Sequence, residues 1–139
     1  MARESVRKAL DNQLSAYVPI GLTSLPIAWE NIDFTPTTGK PYIAQHDLVA
    51  TPAIGGIGKN APVVYLGIYR LRVFYPAGIG AGVPMRQADG LVNHFKRGTP
   101  LEADGLPVYI KRTWRGPFQD NDPWMCYPVS VEYFAYDFS

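Results

Sequence analysis

One block, residues 69–82, constrains the fold more than any other part of the sequence. From Tyr69 to Tyr75 every second residue is apolar or aromatic, which is typical of a strand with one buried face. Glycines at 78, 80 and 82 follow, and the apolar residues beyond them recur at helical spacing over 83–96. The block therefore predicts a core strand, a shaped turn and a packed helix.

The glycine spacing argues against a nucleotide site. A dinucleotide fingerprint requires G-x-G-x-x-G, whereas position 83 is Val83 and the flanking pattern predicts hairpins instead of a parallel unit. The glycine-rich segment 53–60 differs from a phosphate-binding loop in two ways: Ala53 stands at the first glycine, and Asn60 stands where Ser or Thr would bind magnesium. We interpret both segments as loops whose glycines meet backbone requirements.

The remaining pattern predicts a single α+β domain over residues 1–139, with a mostly antiparallel sheet. An N-terminal helix over 3–18 and the second helix would pack on one face of that sheet. Asp104-Gly105 between apolar residues indicates a tight hairpin, and 51–62 and 116–123 are predicted loops. Predicted strands are Ile27–Glu30, Tyr42–Ala50, Val63–Tyr75, Val108–Trp114 and Met125–Tyr136.

Net charge is only +1, but the charges are unevenly distributed along the chain. Residues 51–119 contain nine Lys or Arg and three acidic residues, whereas 120–139 contain four acidic residues and no Lys or Arg. Either the two segments neutralise each other within one fold, or they form complementary patches between neighbouring subunits. The start of the chain has no apolar signal region and no run is long enough to span a membrane, so we expect a cytosolic product.

The sequence offers no set of residues for catalysis, a metal or a cofactor. His46 and His94 are the only histidines and neither has a second histidine at metal-ligand spacing. Cys126 is the only cysteine; it has no activating neighbour in sequence, so we expect a buried structural thiol. These observations favour a protein that is not an enzyme.

Two charged groups are candidate interaction residues. Arg70 and Arg72 point to the same side of their predicted strand, and Lys111, Arg112 and Arg115 could lie near them, interleaved with aromatic residues. Such a surface would be a nucleic-acid contact, or simply a solvated or subunit-facing side of the sheet. Asp120 and Asp122, in the acidic end, are the candidate acidic partner patch.

Two segments resemble one known family. The first is Ile27-Ala28-Trp29-Glu30-Asn31-Ile32-Asp33-Phe34-Thr35-Pro36 with Gly39-Lys40-Pro41-Tyr42, and the second is Val73-Phe74-Tyr75-Pro76-Ala77-Gly78-Ile79-Gly80. They resemble the AWEN…FTP…GxPY and VFYPAGxG segments of tail-terminator, or tail-completion, proteins of tailed bacteriophages. Residues 95–99 and 127–131 are also similar in order and spacing. The likeness spans nearly the whole chain.

The resemblance implies a structural protein of a phage or prophage tail. Such proteins form a hexameric ring on the finished tail tube, stop its polymerisation and present the surface that joins the head. The implied partners are other copies of the chain, the tail tube protein and the head-tail connector protein, with assembly in the host cytoplasm and non-specific DNA contact in the lumen, where Arg70, Arg72, Lys111 and Arg112 are candidates. Alternatives are another head-tail joining or minor tail protein, or a small nucleic-acid-binding domain.

Overall fold

The computed structural model describes residues 2–22, 25–37, 39–50, 53–54, 58, 61–121 and 123–137. These residues contain helix α1 (Ala2–Ser15), four strands, helix α2 (Gly82–His94) and four further strands. The strands are β1 (Ile27–Ala28), β2 (Tyr42–Val49), β3 (Ala53–Ile54), β4 (Val63–Pro76), β5 (Leu101–Ala103), β6 (Leu106–Arg115), β7 (Gln119–Asn121) and β8 (Trp124–Asp137).

The strands form one sheet in the order β1-β2-β4-β8-β6-β5, with β3 paired to β4 and β7 paired to β8. Its centre is the antiparallel pair β4–β8, in register from Val63 opposite Asp137 to Pro76 opposite Trp124. Only β1 and β2 are parallel among the pairs that the structure describes. The predicted α+β class with a mostly antiparallel sheet is confirmed.

One face of this sheet forms the core. Tyr69, Leu71 and Val73 are fully buried and Tyr75 is nearly so, as the alternation predicts. β8 adds every second residue from Met125 to Ala135 to the same face, and all of them are buried. A strand with alternate apolar residues buries one face when a second layer covers it.

Both helices supply that second layer. α1 buries Val6, Leu10 and Leu14, and α2 buries Ala88 and Leu91. The Tyr69 hydroxyl donates to Asp11 Oδ1 at 2.5 Å, which ties α1 to the central strand. α1 ends at Ser15 instead of 18, because the Tyr17 amide donates to the Leu14 carbonyl (3.1 Å) in a tighter turn.

The connections follow the prediction with two corrections. Asp104 (φ 54°) and Gly105 (φ 80°) adopt the left-handed conformations of a tight β5–β6 hairpin. The predicted loop 116–123 was wrong in part, since Gln119–Asn121 folds back as β7 and pairs with Trp124–Cys126. Of the predicted loop 51–62, Ala53–Ile54 forms β3, and most of the rest lies outside the described residues.

Candidate interaction surface

The outer face of the sheet, defined here as the face turned away from α1 and α2, concentrates aromatic and basic side chains. Side chains alternate between the two faces along each strand, so Arg70, Arg72 and Phe74 of β4 lie on the outer face. The neighbouring strands add further side chains to this face: Tyr42 from β2, Ser130, Glu132 and Phe134 from β8, and Tyr109, Arg112 and Trp114 from β6.

One aromatic cluster lies at the Pro76 end of this face. Tyr42 stacks on Phe74 with ring centroids 4.8 Å apart and an interplanar angle of 8°, and Trp124 meets Tyr42 edge-on at 5.3 Å. The Arg72 guanidinium lies 5.2 Å from the Phe74 ring centroid. Because these neighbours cover it, Phe74 is only 5% exposed although it faces away from the core. Arg72 is thereby held at a defined position on the face.

A second aromatic cluster lies toward the other end of the strands. Tyr109 and Phe134 stack at 5.3 Å, and Tyr136 meets Phe134 edge-on at 5.7 Å. On the same strand as Tyr109, the Arg112 guanidinium lies 5.1 Å from the Trp114 ring centroid. Exposed aromatic rings beside cations are suited to contact with proteins or nucleic acid.

The four basic residues predicted from sequence share this outer face but do not form one cluster. Arg70 is opposite Ser130, and Arg112 is opposite Glu132 one row further along. Two inter-strand spacings and two residues along the strand separate Arg70 from Arg112 by about 12 Å between Cα atoms. Arg115 is an exception to the sequence expectation, since it lies on the helix face and pairs with Asp89 of α2 at 2.8 Å.

Glu132 neutralises part of this basic surface within the chain. Its carboxylate accepts from Arg112 Nε at 2.6 Å and lies 3.6 Å from Lys111 Nζ. The hydrogen bond from Arg112 holds the pKa of Glu132 below its usual value. Sequence reasoning did not include Glu132 in the surface, although its place between Val131 and Tyr133 puts it on the face opposite the core.

Arg70 has an unusual environment. Its Nε is buried without a hydrogen-bond partner. It lies between His46 on β2 and Ser130 on β8 in the strand register, and no acidic residue is opposite it. A buried guanidinium nitrogen without a partner is costly, so Arg70 lies in the sheet at an energetic cost.

Of the two acidic residues predicted as a partner patch, the structure describes one. Asp120 is exposed on β7, opposite Met125, at the Pro76 end of the sheet. Asp122 lies outside the described residues. Their role as a partner patch stays a prediction.

Sequence reasoning also missed an apolar groove beside the glycine-rich turn. Gly78 (φ 90°) and Gly80 (φ 88°) give this turn a backbone that residues with a Cβ rarely adopt. The groove has a volume of about 390 Å³ and exposes Ile20, Ile79 and Val83 to about half of their surface. Exposed apolar grooves of this kind are typical of protein interaction sites. Its other lining residues include Leu22, Pro41, Tyr75 and Arg86.

Buried Gln87 fixes one wall of the groove. Its Oε1 accepts from the Tyr17 hydroxyl and from the Ile20 amide (2.9 Å). Its Nε2 donates to the Ile20 carbonyl (3.1 Å) and to the Tyr75 hydroxyl (3.2 Å). Both ends of the side-chain amide are thus used to hold the segment after α1 against α2.

The described residues offer little to covalent or metal chemistry. They contain no group of three His, Cys, Asp or Glu side chains placed to hold a metal ion. Cys126 is fully buried and burial raises the pKa of its thiol, which is unfavourable for a nucleophile. Separately, no helix in the described part of the chain is long and apolar enough to cross a membrane.

Comparison with known proteins shows the fold and the family of the chain. A solved structure whose name states no function superposes with a TM-score of 0.78 and 24% identity, covering 100% of this chain and 98% of its own. At that identity the likeness shows the fold. No curated protein gives a significant match. The family of phage tail terminator proteins matches residues 5–133. The chain therefore belongs to the phage tail terminator family, whose members are structural components of the virion tail.

Proposed function

We propose that this protein caps the phage tail tube as a ring of six copies, stops polymerisation of the tube and presents the surface that joins the head. The observation that carries the proposal is the family match over residues 5–133. Partners in this role are other copies of the chain, the tail tube protein and the head-tail connector protein. Assembly takes place in the cytoplasm of the bacterial host, and the gene belongs to a phage or a prophage.

The exposed surfaces of the structure support a role in which copies of the chain assemble with one another. Large apolar side chains are exposed at separated places, including Ile32 (64%), Ile79 (53%) and Tyr109 (47%). A closed ring requires two different patches on each subunit, because each copy meets one neighbour with one patch and the next neighbour with the other. Separate exposed surfaces on a small domain meet that requirement.

The capping proposal predicts a limit on tube length. Tail tube protein is allowed to polymerise in the presence of this protein, which is added at a lower concentration than the tube subunit. The mean length of the tubes should fall as the amount of added protein rises. Electron micrographs of the products measure this length directly. Tubes that grow to the same length with and without the protein would contradict the proposal.

A specific observation favours an additional contact with DNA inside the ring. The outer face carries Arg70, Arg72, Lys111 and Arg112, of which Lys111 and Arg112 pair with Glu132. Arginines beside exposed aromatic rings bind phosphate backbones without sequence preference. We therefore place this face toward the lumen, through which DNA passes.

This arrangement predicts a salt-dependent DNA affinity. Assembled rings should bind a short duplex of arbitrary sequence, and Arg70→Gln with Arg72→Gln should lower the slope of log affinity against log salt by about 0.9 per lost phosphate contact. Fluorescence anisotropy gives this slope. Lys8→Gln with Lys96→Gln removes two exposed charges away from β4 and should lower the slope less.

Two results would contradict the luminal contact. An unchanged slope in the Arg70/Arg72 variant would exclude these arginines as the phosphate ligands. Tight DNA binding by the isolated monomer would favour the alternative of a small nucleic-acid-binding domain.

A further inference from the structure

The two lateral edges of the sheet are only partly covered by strands. β5 pairs with Leu106–Val108 of β6, so residues 109–115 have β8 on one side and no described strand on the other. At the opposite edge β1 pairs with Ile43 and Ala44, which leaves 45–49 of β2 without a second described strand. Two surfaces on opposite sides of one subunit are what a head-to-tail contact needs.

The β6 edge exposes cations above a partly buried carboxylate. The side chains of Lys111 and Arg112 are 64% and 68% exposed, whereas that of Glu132 is 23% exposed. Lys111 and Arg112 line a groove of about 910 Å³ together with Arg97, which is also exposed. Glu102 is the acidic residue among the groove's lining residues. A neighbouring molecule that approaches the β6 edge therefore meets mainly positive charge.

The β1–β2 edge is acidic. Asp33 is exposed on the loop after β1, and the Glu30 side chain is 30% exposed. Asp47 adds a third carboxylate on β2, whose Oδ1 accepts from the Tyr133 hydroxyl at 2.8 Å on the core side of the strand. The only imidazole beside them in the described structure is His46, whose Nδ1 lies 3.3 Å from Glu30 Oε1. This edge is thus opposite in charge to the β6 edge.

Both edges also carry exposed apolar side chains between the charges. Tyr109 (47%) and Trp114 (38%) lie at the β6 edge, and Ile32 (64%) and Val49 (53%) lie at the β1–β2 edge. Apolar contacts with a charged rim are the usual composition of a protein interface.

We propose that a second copy of this chain is the partner of each edge: the basic β6 edge of one subunit binds the acidic β1–β2 edge of the next. The proposal rests on the ring assembly proposed above and names its subunit contact. Complementary charge steers the two edges together and sets their order around the ring.

The contact is made by side chains and not by a continuous sheet. The Asp47 amide already donates to Glu30 Oε1 at 2.6 Å, so a backbone donor of the β2 edge is occupied. A register shift between Ile110 and Arg112 interrupts the β6 edge. Bulges and edge carboxylates are devices that prevent strand-to-strand association. A side-chain contact is weaker than a continuous sheet between subunits. The chain can therefore remain monomeric until a tube end gathers several copies.

Charge reversal tests the contact. Asp33→Lys and Lys111→Glu each place like charges across it, and each should raise the concentration needed for half-occupancy of rings on purified tail tubes by about tenfold or more. The double variant restores opposite charges and should return to within about threefold of the wild type. Rings on tube ends are counted in negative-stain micrographs. Glu4→Lys and Lys96→Glu reverse exposed charges elsewhere and should assemble as the wild type does.

The outcomes separate the edge contact from ring assembly. Rings that form normally from either single variant, or a double variant that fails to recover while its thermal unfolding is unchanged, would overturn the edge contact and leave ring assembly standing. Wild-type protein that forms no ring on tubes would overturn ring assembly itself, and the edge contact with it. Loss of rings in both single variants with recovery in the double variant supports the edge contact and ring assembly.

Discussion

Replacing Gly67 with alanine should unfold the domain or lower its free energy of unfolding by about 3 kcal/mol, the upper end of the cost of overpacking. A Cβ at this position would lie 2.4 Å from Tyr133 Oη, 2.7 Å from Tyr133 Cζ and 3.0 Å from the Leu48 carbonyl oxygen. Tyr133 cannot move aside easily, since it is 1% exposed and its hydroxyl donates to Asp47 Oδ1 at 2.8 Å. Urea unfolding followed by circular dichroism measures the loss.

Gly82 supplies the matched control for this substitution. It begins α2, a Cβ there meets nothing within 4 Å, and its backbone lies outside the left-handed region. Gly82→Ala should therefore leave the free energy of unfolding unchanged or raise it by up to about 1 kcal/mol. Equal free energies of unfolding for the Gly67→Ala and Gly82→Ala proteins would contradict the close packing of Tyr133 against Gly67 of β4.

Gln87→Leu is the second substitution with a large expected effect, about 3 kcal/mol of unfolding free energy. Leucine nearly preserves the volume but removes every hydrogen bond that the side chain makes to Tyr17, Ile20 and Tyr75. Each buried polar group left without a partner costs about 1–3 kcal/mol, and water at half-exposed Ile20 offsets part of this. Amide hydrogen exchange at Ile20 should also become faster, because the groove wall is released.

Gln119→Leu is the control for Gln87→Leu. Gln119 is exposed, and its Oε1 accepts a hydrogen bond from the Cys126 thiol at 3.3 Å. We expect a change of no more than about 0.5 kcal/mol, as for most surface substitutions. A Gln87→Leu protein as stable as the Gln119→Leu protein would contradict the role given to the Gln87 amide.

The fold was predictable where residue periodicity and tertiary packing agree. Alternation from Tyr69 to Tyr75 identified the core face of β4, and Asp104-Gly105 identified the hairpin before β6. β7 was not predictable, because Gln119–Asn121 is short and polar and its pairing depends on the position of β8. Alternation cannot indicate a strand of three polar residues, even though β7 pairs with the start of β8, which is close to it in sequence.

The candidate surface was predictable in part. Alternation alone placed Arg70 and Arg72 on one face, but the order of strands decides what lies between them and Arg112. β8 occupies that position and brings in Glu132, so the basic residues form two separated groups. The side of Arg115 follows from the register shift in β6, which no sequence pattern indicates.

A ring at the end of the tail tube is the central feature of the proposed function. Purified protein should be mixed with preformed tail tubes, and the tube ends should be imaged and averaged by cryo-electron microscopy. We predict a six-fold ring on one end only, with the basic outer face of each sheet toward the lumen and the β6 edge of each subunit against the β1–β2 edge of the next. Bare tube ends at saturating protein concentration would contradict the account.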